Sequence, residues 1–149
     1  MIITDPLEQA LHDLRERGHH VTSQRRAILS FLQRSKEHPS AEAIYEQLLP
    51  AFPNMSLATV YKTVAILKAA GHILELETGG CSHYDGNPAP HPHLVCTECL
   101  HIIDLPEEEL MLPAEALARI GFVPLQSSLI IYGLCAECRR APAAEDDSC

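Results

Sequence analysis

Cys96-Thr97-Glu98-Cys99 and Cys135-Ala136-Glu137-Cys138 are two CxxC knuckles about 35 residues apart in a chain of 149 residues. Four thiolates from two tight turns suit the tetrahedral preference of Zn2+, and a closed four-cysteine shell leaves no open position for chemistry. Zinc bound there ties the start of the intervening segment to its end. The other use of such residues is a pair of redox motifs, but a thioredoxin-like CxxC sits at a strand-to-helix turn of an α/β fold, and that pattern is missing here. Between the knuckles the sequence reads as a strand (HIIDL), a helix (EEELMLPAEALARIG) and a strand (FVPLQSSLIIYGL). Val123, Leu125, Leu129 and Ile131 fall at apolar strand positions. An α/β unit this small gains from a metal because its core alone is marginal.

A net charge of −9 argues against a nucleic-acid partner until it is divided along the chain. Residues 1–72 carry eight Lys/Arg against seven Asp/Glu, about +1, whereas residues 73–149 carry three against thirteen, about −10. The asymmetry points to two modules, of which only the first can approach a polyanion; two differently charged solvated surfaces would give the same numbers. No apolar run reaches the roughly 20 residues a bilayer span needs. The N-terminus MIITDPLEQALHDL lacks the basic flank, apolar stretch and cleavage site of a signal peptide. A cytoplasmic protein with no membrane partner is therefore expected, and there six cysteines serve metal or redox chemistry more readily than structural disulfides.

The first module reads as four helices and a hairpin. LEQALHDLRERG places Leu7, Leu11 and Leu14 inward before Gly18, and Thr22 or Ser23 caps a second helix with Ile28, Leu29 and Leu32 inward. Ser40 caps AEAIYEQLLPAF, with Ile44, Leu48 and Leu49 as its buried stripe. Asn54-Met55-Ser56 opens LATVYKTVAILKAAG, whose inward positions are Leu57, Val60, Val64 and Leu67 and whose outward cluster is Thr59, Tyr61, Lys62 and Thr63. HILELE and CSHYD then alternate as two strands across Gly79-Gly80. The expected fold class is α+β: an N-terminal winged helix-turn-helix over residues 1–85, a hinge at 86–90, a C-terminal α/β dimerisation and metal-binding domain at 91–140, and a disordered tail at 141–149. The fourth helix is the natural groove reader through Ser56, Thr59, Tyr61 and Lys62, with Arg25 and Arg26 near the flanking phosphates of double-stranded DNA. Helices with an exposed Tyr and Lys are also ordinary solvated faces.

A second set of ligand types surrounds the first knuckle. His91 and His93 are two apart, so on a strand they point to one side. Asp104 lies on the following strand, within reach of that side if the two strands pair around the Cys96–Cys99 turn. Asp85 ends the hairpin, and His38 precedes the third helix. A mixed N/O set with carboxylates suits Fe2+ or Mn2+ better than a soft metal, although Zn2+ also accepts it. A zinc-dependent hydrolase would need an open zinc position beside a general base; His91, His93 and Asp104 nominally offer one, but no substrate-pocket motif accompanies them, and no enzymatic activity is expected.

Over about residues 5–140 the motifs HPSAEAIYEQL, FPNMSLATVYKTVAIL, HPHLVCTECLHIIDL and IYGLCAEC resemble those of the ferric uptake regulator (Fur) superfamily, in family order and spacing. The resemblance implies a homodimeric repressor that binds a palindromic operator, with structural zinc at Cys96, Cys99, Cys135 and Cys138. His38, Asp85, His91, His93 and Asp104 match the regulatory site of the peroxide-responsive branch, PerR, residue by residue. Zinc-uptake regulators of the family place a Cys near the Asp85 position, and iron-uptake regulators usually carry Glu where this chain has Asp104. An uptake regulator of iron, manganese or zinc that ignores peroxide is the alternative, with Cys81, His83 and His101 as further ligand candidates. The resemblance implies that Fe2+ or Mn2+ acts as co-repressor, and that peroxide, with Fe2+, oxidises His38 or His91.

Overall fold

Each of the first four helices begins on a side-chain cap, which supplies a partner for an otherwise orphaned amide of the first turn. Asp5 caps α1 (Pro6–Glu16), Thr22 caps α2 (Ser23–Arg34), Ser40 caps α3 (Ala41–Leu48) and Ser56 caps α4 (Leu57–Ala69). The computed structural model describes residues 5–106, 114–124 and 128–140. The first half of the helix expected at 107–121, Leu125 and the acidic tail lie outside the described residues. The chain divides into two compact units, with the break between Pro88 and Ala89. No described helix is long and apolar enough to cross a membrane.

In the first unit, Leu11 and Leu14 of α1, Ile28, Leu29 and Leu32 of α2, Ile44 of α3 and Val60, Val64 and Leu67 of α4 form one buried cluster. Each such side chain contributes on the order of 2 kcal/mol by leaving water. Two expectations need correction. Thr63 is buried, because its hydroxyl donates to the Thr59 carbonyl at 2.8 Å and so needs no solvent. The third helix stops at Leu48, ahead of Pro50, which disfavours a helical residue before it; Leu48 and Leu49 are only half-buried.

After α4 the chain forms β1 (Leu74–Thr78) and β2 (Cys81–Asp85), antiparallel, with Leu74 opposite Asp85 and Thr78 opposite Cys81. Gly79 and Gly80, both at positive φ, make the two-residue turn whose twist matches the strands. The end of β2 lies hard against α2. A Cβ on Gly86 would stand 2.3 Å from the Leu32 carbonyl oxygen and 2.6 Å from the Gln33 nitrogen, both backbone atoms of a helix. Gly86→Ala is therefore expected to destabilise the first unit by about 2 kcal/mol, the scale of an overpacked core. An unchanged denaturant midpoint would show that α2 yields freely there.

In the second unit β3 (His93–Cys96) is the middle strand. It pairs antiparallel with β4 (Ile102–Asp104) and parallel with β5 (Ile130–Gly133). α5 (Ala114–Arg119) lies between β4 and β5 in the chain, and a short α6 (Ala136–Arg140), not anticipated from the sequence, follows. Among the described residues of the expected strand, only 130–133 are strand; Phe122–Pro124 are not, since proline brings no amide to a ladder. Among the described residues the unit buries few apolar side chains, chiefly Val95, Cys96 and Ile102. It exposes Ile103, Ile120, Phe122, Val123, Leu129, Ile131, Tyr132 and Leu134 instead.

Candidate metal centres

The two knuckles meet because β3 ends at Cys96 and β5, its parallel neighbour, runs straight into Cys135. The Thr97 amide donates to the Gly133 carbonyl at 2.9 Å, fixing one turn to the strand that feeds the other. The first turn closes through the Leu100 amide on the Cys96 carbonyl at 3.0 Å, with Leu100 held at φ 59°. One sulfur from each of Cys96, Cys99, Cys135 and Cys138 lies within 4.8 Å of the other three. A regular tetrahedron with Zn–S of about 2.3 Å has edges of about 3.8 Å, and Cys99 Sγ stands 3.8 Å from Cys135 Sγ. Backbone amides point at the sulfurs: Cys135 N–H at Cys96 Sγ and Cys138 N–H at Cys135 Sγ, each 3.4 Å.

These donors stabilise thiolates, but unequally. The Cys99 amide leads in holding the Cys96 thiol down to about 6, whereas the neighbouring Cys135 thiol leads in pushing Cys138 up to about 12. Four negative sulfurs at this spacing require a dication among them, and the donor set fits zinc as a closed shell. The residues read as zinc ligands from the sequence are brought together as expected.

The remaining ligand candidates fall into a set within each unit. In the first, His38 and Asp85 are both buried, and His38 Nε2 lies 3.2 Å from Asp85 Oδ2. The other carboxylate oxygen of Asp85 accepts the Asn87 amide at 2.8 Å, which fixes the plane of the carboxylate. His38 adopts φ 52°, a left-handed conformation costing about 1 kcal/mol for a residue with a Cβ.

In the second unit the pairing of β3 with β4 sets His93 opposite Asp104. Asp104 Oδ1 lies 3.2 Å from His91 Nε2 and 3.3 Å from His93 Nε2, with the two rings 4.2 Å apart. His91 Nδ1–H donates to the Ala89 carbonyl at 2.7 Å, so in the neutral ring Nε2 carries the lone pair that faces the carboxylate. Two acceptors facing each other at that distance need a cation with them, a second ring proton or a metal ion. A backbone carbonyl holding the far nitrogen is the usual support of a metal-bound histidine. Neighbouring ligands at about 2.1 Å from one ion stand about 3 Å apart, near the distances here. Each set is imidazole and carboxylate without a thiol, the kind of donor that Fe2+ or Mn2+ accepts. Cys81 and His101 belong to neither group of possible ligands among the described residues.

The residues expected at DNA lie on or near α4 and α2. Tyr61 and Lys62 are exposed; the Tyr61 hydroxyl donates to Glu42, which pushes the phenol pKa up. The hydroxyls of Ser56 and Thr59 bond each other at the helix start, 2.9 Å apart. Arg25 donates to the His20 carbonyl at 2.7 Å, and Arg26 pairs with Glu8. The sequence offered His83 only as a further ligand candidate; it belongs to neither group of possible ligands among the described residues, and its ring meets the backbone of His38 instead. A hydrogen bond to a carbonyl 45 positions away leaves no local pattern to read.

Residues 16–132 match the model of the ferric uptake regulator family. The chain is 38% identical to the peroxide-responsive repressor PerR of Staphylococcus aureus over 140 residues, 92% of this chain and 94% of that one. Among solved structures, that of PerR from Streptococcus pyogenes, described for peroxide sensing and gene regulation, is 38% identical with a TM-score of 0.54, covering 90% of this chain and 93% of that one. The Helicobacter pylori ferric uptake regulator shares the fold at a TM-score of 0.75 and 23% identity, over 96% and 100% of the two chains.

Proposed function

The chain belongs to the ferric uptake regulator family, and from that premise we propose that it is a transcriptional repressor whose DNA binding depends on a regulatory Fe2+ or Mn2+ and responds to peroxide. The observation that carries this reading is the thiol-free donor set, His38 with Asp85 in one unit and His91, His93 and Asp104 in the other. In this reading one ion takes donors from both sets. It thereby couples the winged-helix module, residues 1–85, across a hinge at 86–90 to the dimerisation module at 91–140. Metal and DNA then raise each other's affinity by the same factor. Apo-protein releases the operator and metal-loaded protein holds it.

A second copy of the chain is the partner the C-terminal unit calls for. Ile131 and Tyr132 of β5 and the nearby Leu134, like Phe122 and Val123, are exposed, and a unit that exposes this many large apolar side chains suits an interface. A twofold dimer presents two α4 helices to the two half-sites of a palindrome, about one helical turn apart. Bound Fe2+ would supply the redox chemistry that splits the O–O bond of H2O2; a ring carbon of His38 or His91 would take one oxygen (C–H to C–OH), and the other would leave as water.

DNA recognition is tested at Lys62, with palindromic DNA selected from a random pool by the Mn2+-loaded protein. Lys62→Ala is expected to weaken binding at every sequence and to lower the salt-dependence slope by about one phosphate contact. Its zinc and Mn2+ content should stay as in the unaltered protein. Unchanged affinity across the salt series would remove α4 from the interface.

A further inference from the structure

Three successive residues of β2 address one short loop. His83 Nδ1–H donates to the His38 carbonyl at 3.0 Å, and the Tyr84 amide donates to the Pro39 carbonyl at 3.0 Å. Asp85 meets the His38 ring itself. Residues 83 and 85 share one side of the strand, so backbone and side chain of His38 are gripped from the same side. His38 needs such a grip because it holds a left-handed φ of 52°, which few residues with a Cβ adopt unaided. The proton on the His83 ring is assigned by its partner: a carbonyl only accepts, so Nδ1 carries the hydrogen. The other nitrogen, Nε2, is buried and makes no hydrogen bond. The ring therefore works through Nδ1 alone.

We propose that His83 is a positioning residue for the regulatory metal, holding the His38 backbone in the conformation that presents its imidazole beside Asp85. The inference rests on the reading of His38 as a ligand. His83 does not bind the ion; it fixes the direction from which a ligand approaches. Loss of an outer-shell partner of this kind lowers metal affinity about 10- to 100-fold.

Chemistry at the two ring nitrogens chooses the variants. The side-chain amide of Asn sits where Nδ1 does and can donate the same bond, and nothing is lost at Nε2. Gln has the same polarity but carries its amide one bond further out. Leu fills the space without a donor. Mn2+ affinity of the full-length, zinc-loaded protein is measured by competition with a chelator, for His38→Ala, His83→Asn, His83→Gln and His83→Leu. The expected result is affinity within about threefold of the unaltered protein for His83→Asn, and a loss of about 10-fold or more for Gln, Leu and His38→Ala. Thermal unfolding of the apo-proteins accompanies each titration. Equal Mn2+ affinity in His83→Asn and His83→Gln would overturn the proposal, and this comparison stands even if His83→Leu fails to fold. A weakened His38→Ala beside an unaffected His83→Leu also overturns it while leaving the ligand set intact. An unaffected His38→Ala instead overturns the ligand reading on which it rests.

Discussion

Serine at Cys96 or Cys135 is expected to strip the zinc and leave the C-terminal unit unfolded while the first unit still melts cooperatively. The reason is the uneven distribution of core. Leu11, Leu14, Ile28, Leu29, Leu32, Ile44, Val60, Val64 and Leu67 all belong to the first unit, and the second buries little beyond Val95, Cys96 and Ile102 among the described residues. Three strands of three or four residues cannot stand on that area, since small scaffolds need a metal or a partner. Structural zinc contributes on the order of 10 kcal/mol at neutral pH, and the binding free energy is folding free energy when no site exists in the unfolded chain. Cys96 is the sharpest place to remove it. Its sulfur also accepts the Cys135 amide, so the change alters the link between the knuckles as well as removing one metal ligand. Metal analysis with amide hydrogen exchange checks the expectation. The amides of β3 should exchange at once, and those of α2 and α4 should keep their protection. Protected β3 amides in a zinc-free variant would mean that the strands hold themselves.

What was legible beforehand follows the range of the physics. Caps and helical stripes act over three or four residues, so Thr22, Ser40 and Ser56 and the Leu and Val periodicities could be read directly. The knuckles are also local, and the turn from Cys96 to Cys99 is what brings Asp104 back opposite His93, so that pairing followed from counting residues around it. Thr63 was misplaced because a hydroxyl that bonds to the preceding turn hides its polarity from a hydropathy pattern. The last strand was overdrawn because apolar residues destined for the surface look the same in sequence as those of a strand core. Leu129 and Ile131 are 39% and 41% exposed, so apolar character there did not mark a core position. Gly86 and His83 act on backbone atoms of α2 and of the loop before α3, and long-range backbone contacts leave no periodic trace.

Peroxide is expected to end operator binding by the Fe2+-loaded protein and to spare the Mn2+-loaded protein. The ligand geometry says where the damage falls. His91 is held at Nδ1 by the Ala89 carbonyl and turns Nε2 toward Asp104, and His38 is held at Nε2 beside Asp85. The 2.7 Å bond to Ala89 fixes the His91 ring and the 3.2 Å contact with Asp85 orients the His38 ring, so with iron bound these two imidazoles would be the held rings nearest the redox chemistry. An added oxygen withdraws the ring's lone pair, and the proposed set of five donors would lose one. With metal and DNA binding coupled by a factor typically between 5 and 150, operator affinity should fall roughly 10- to 100-fold. The matching covalent mark is one oxygen atom on the peptide that carries His38 or His91, read by mass spectrometry after stoichiometric peroxide without air. Substituting Cys99 cannot serve as a control, because it destroys the zinc shell. The two metals are the control, since they fill the same donors and differ in redox chemistry. Equal loss of DNA binding in both forms, with oxidation confined to cysteine, would place the sensor in the thiols. Equal persistence in both forms would make the protein an uptake regulator that reads metal and ignores peroxide.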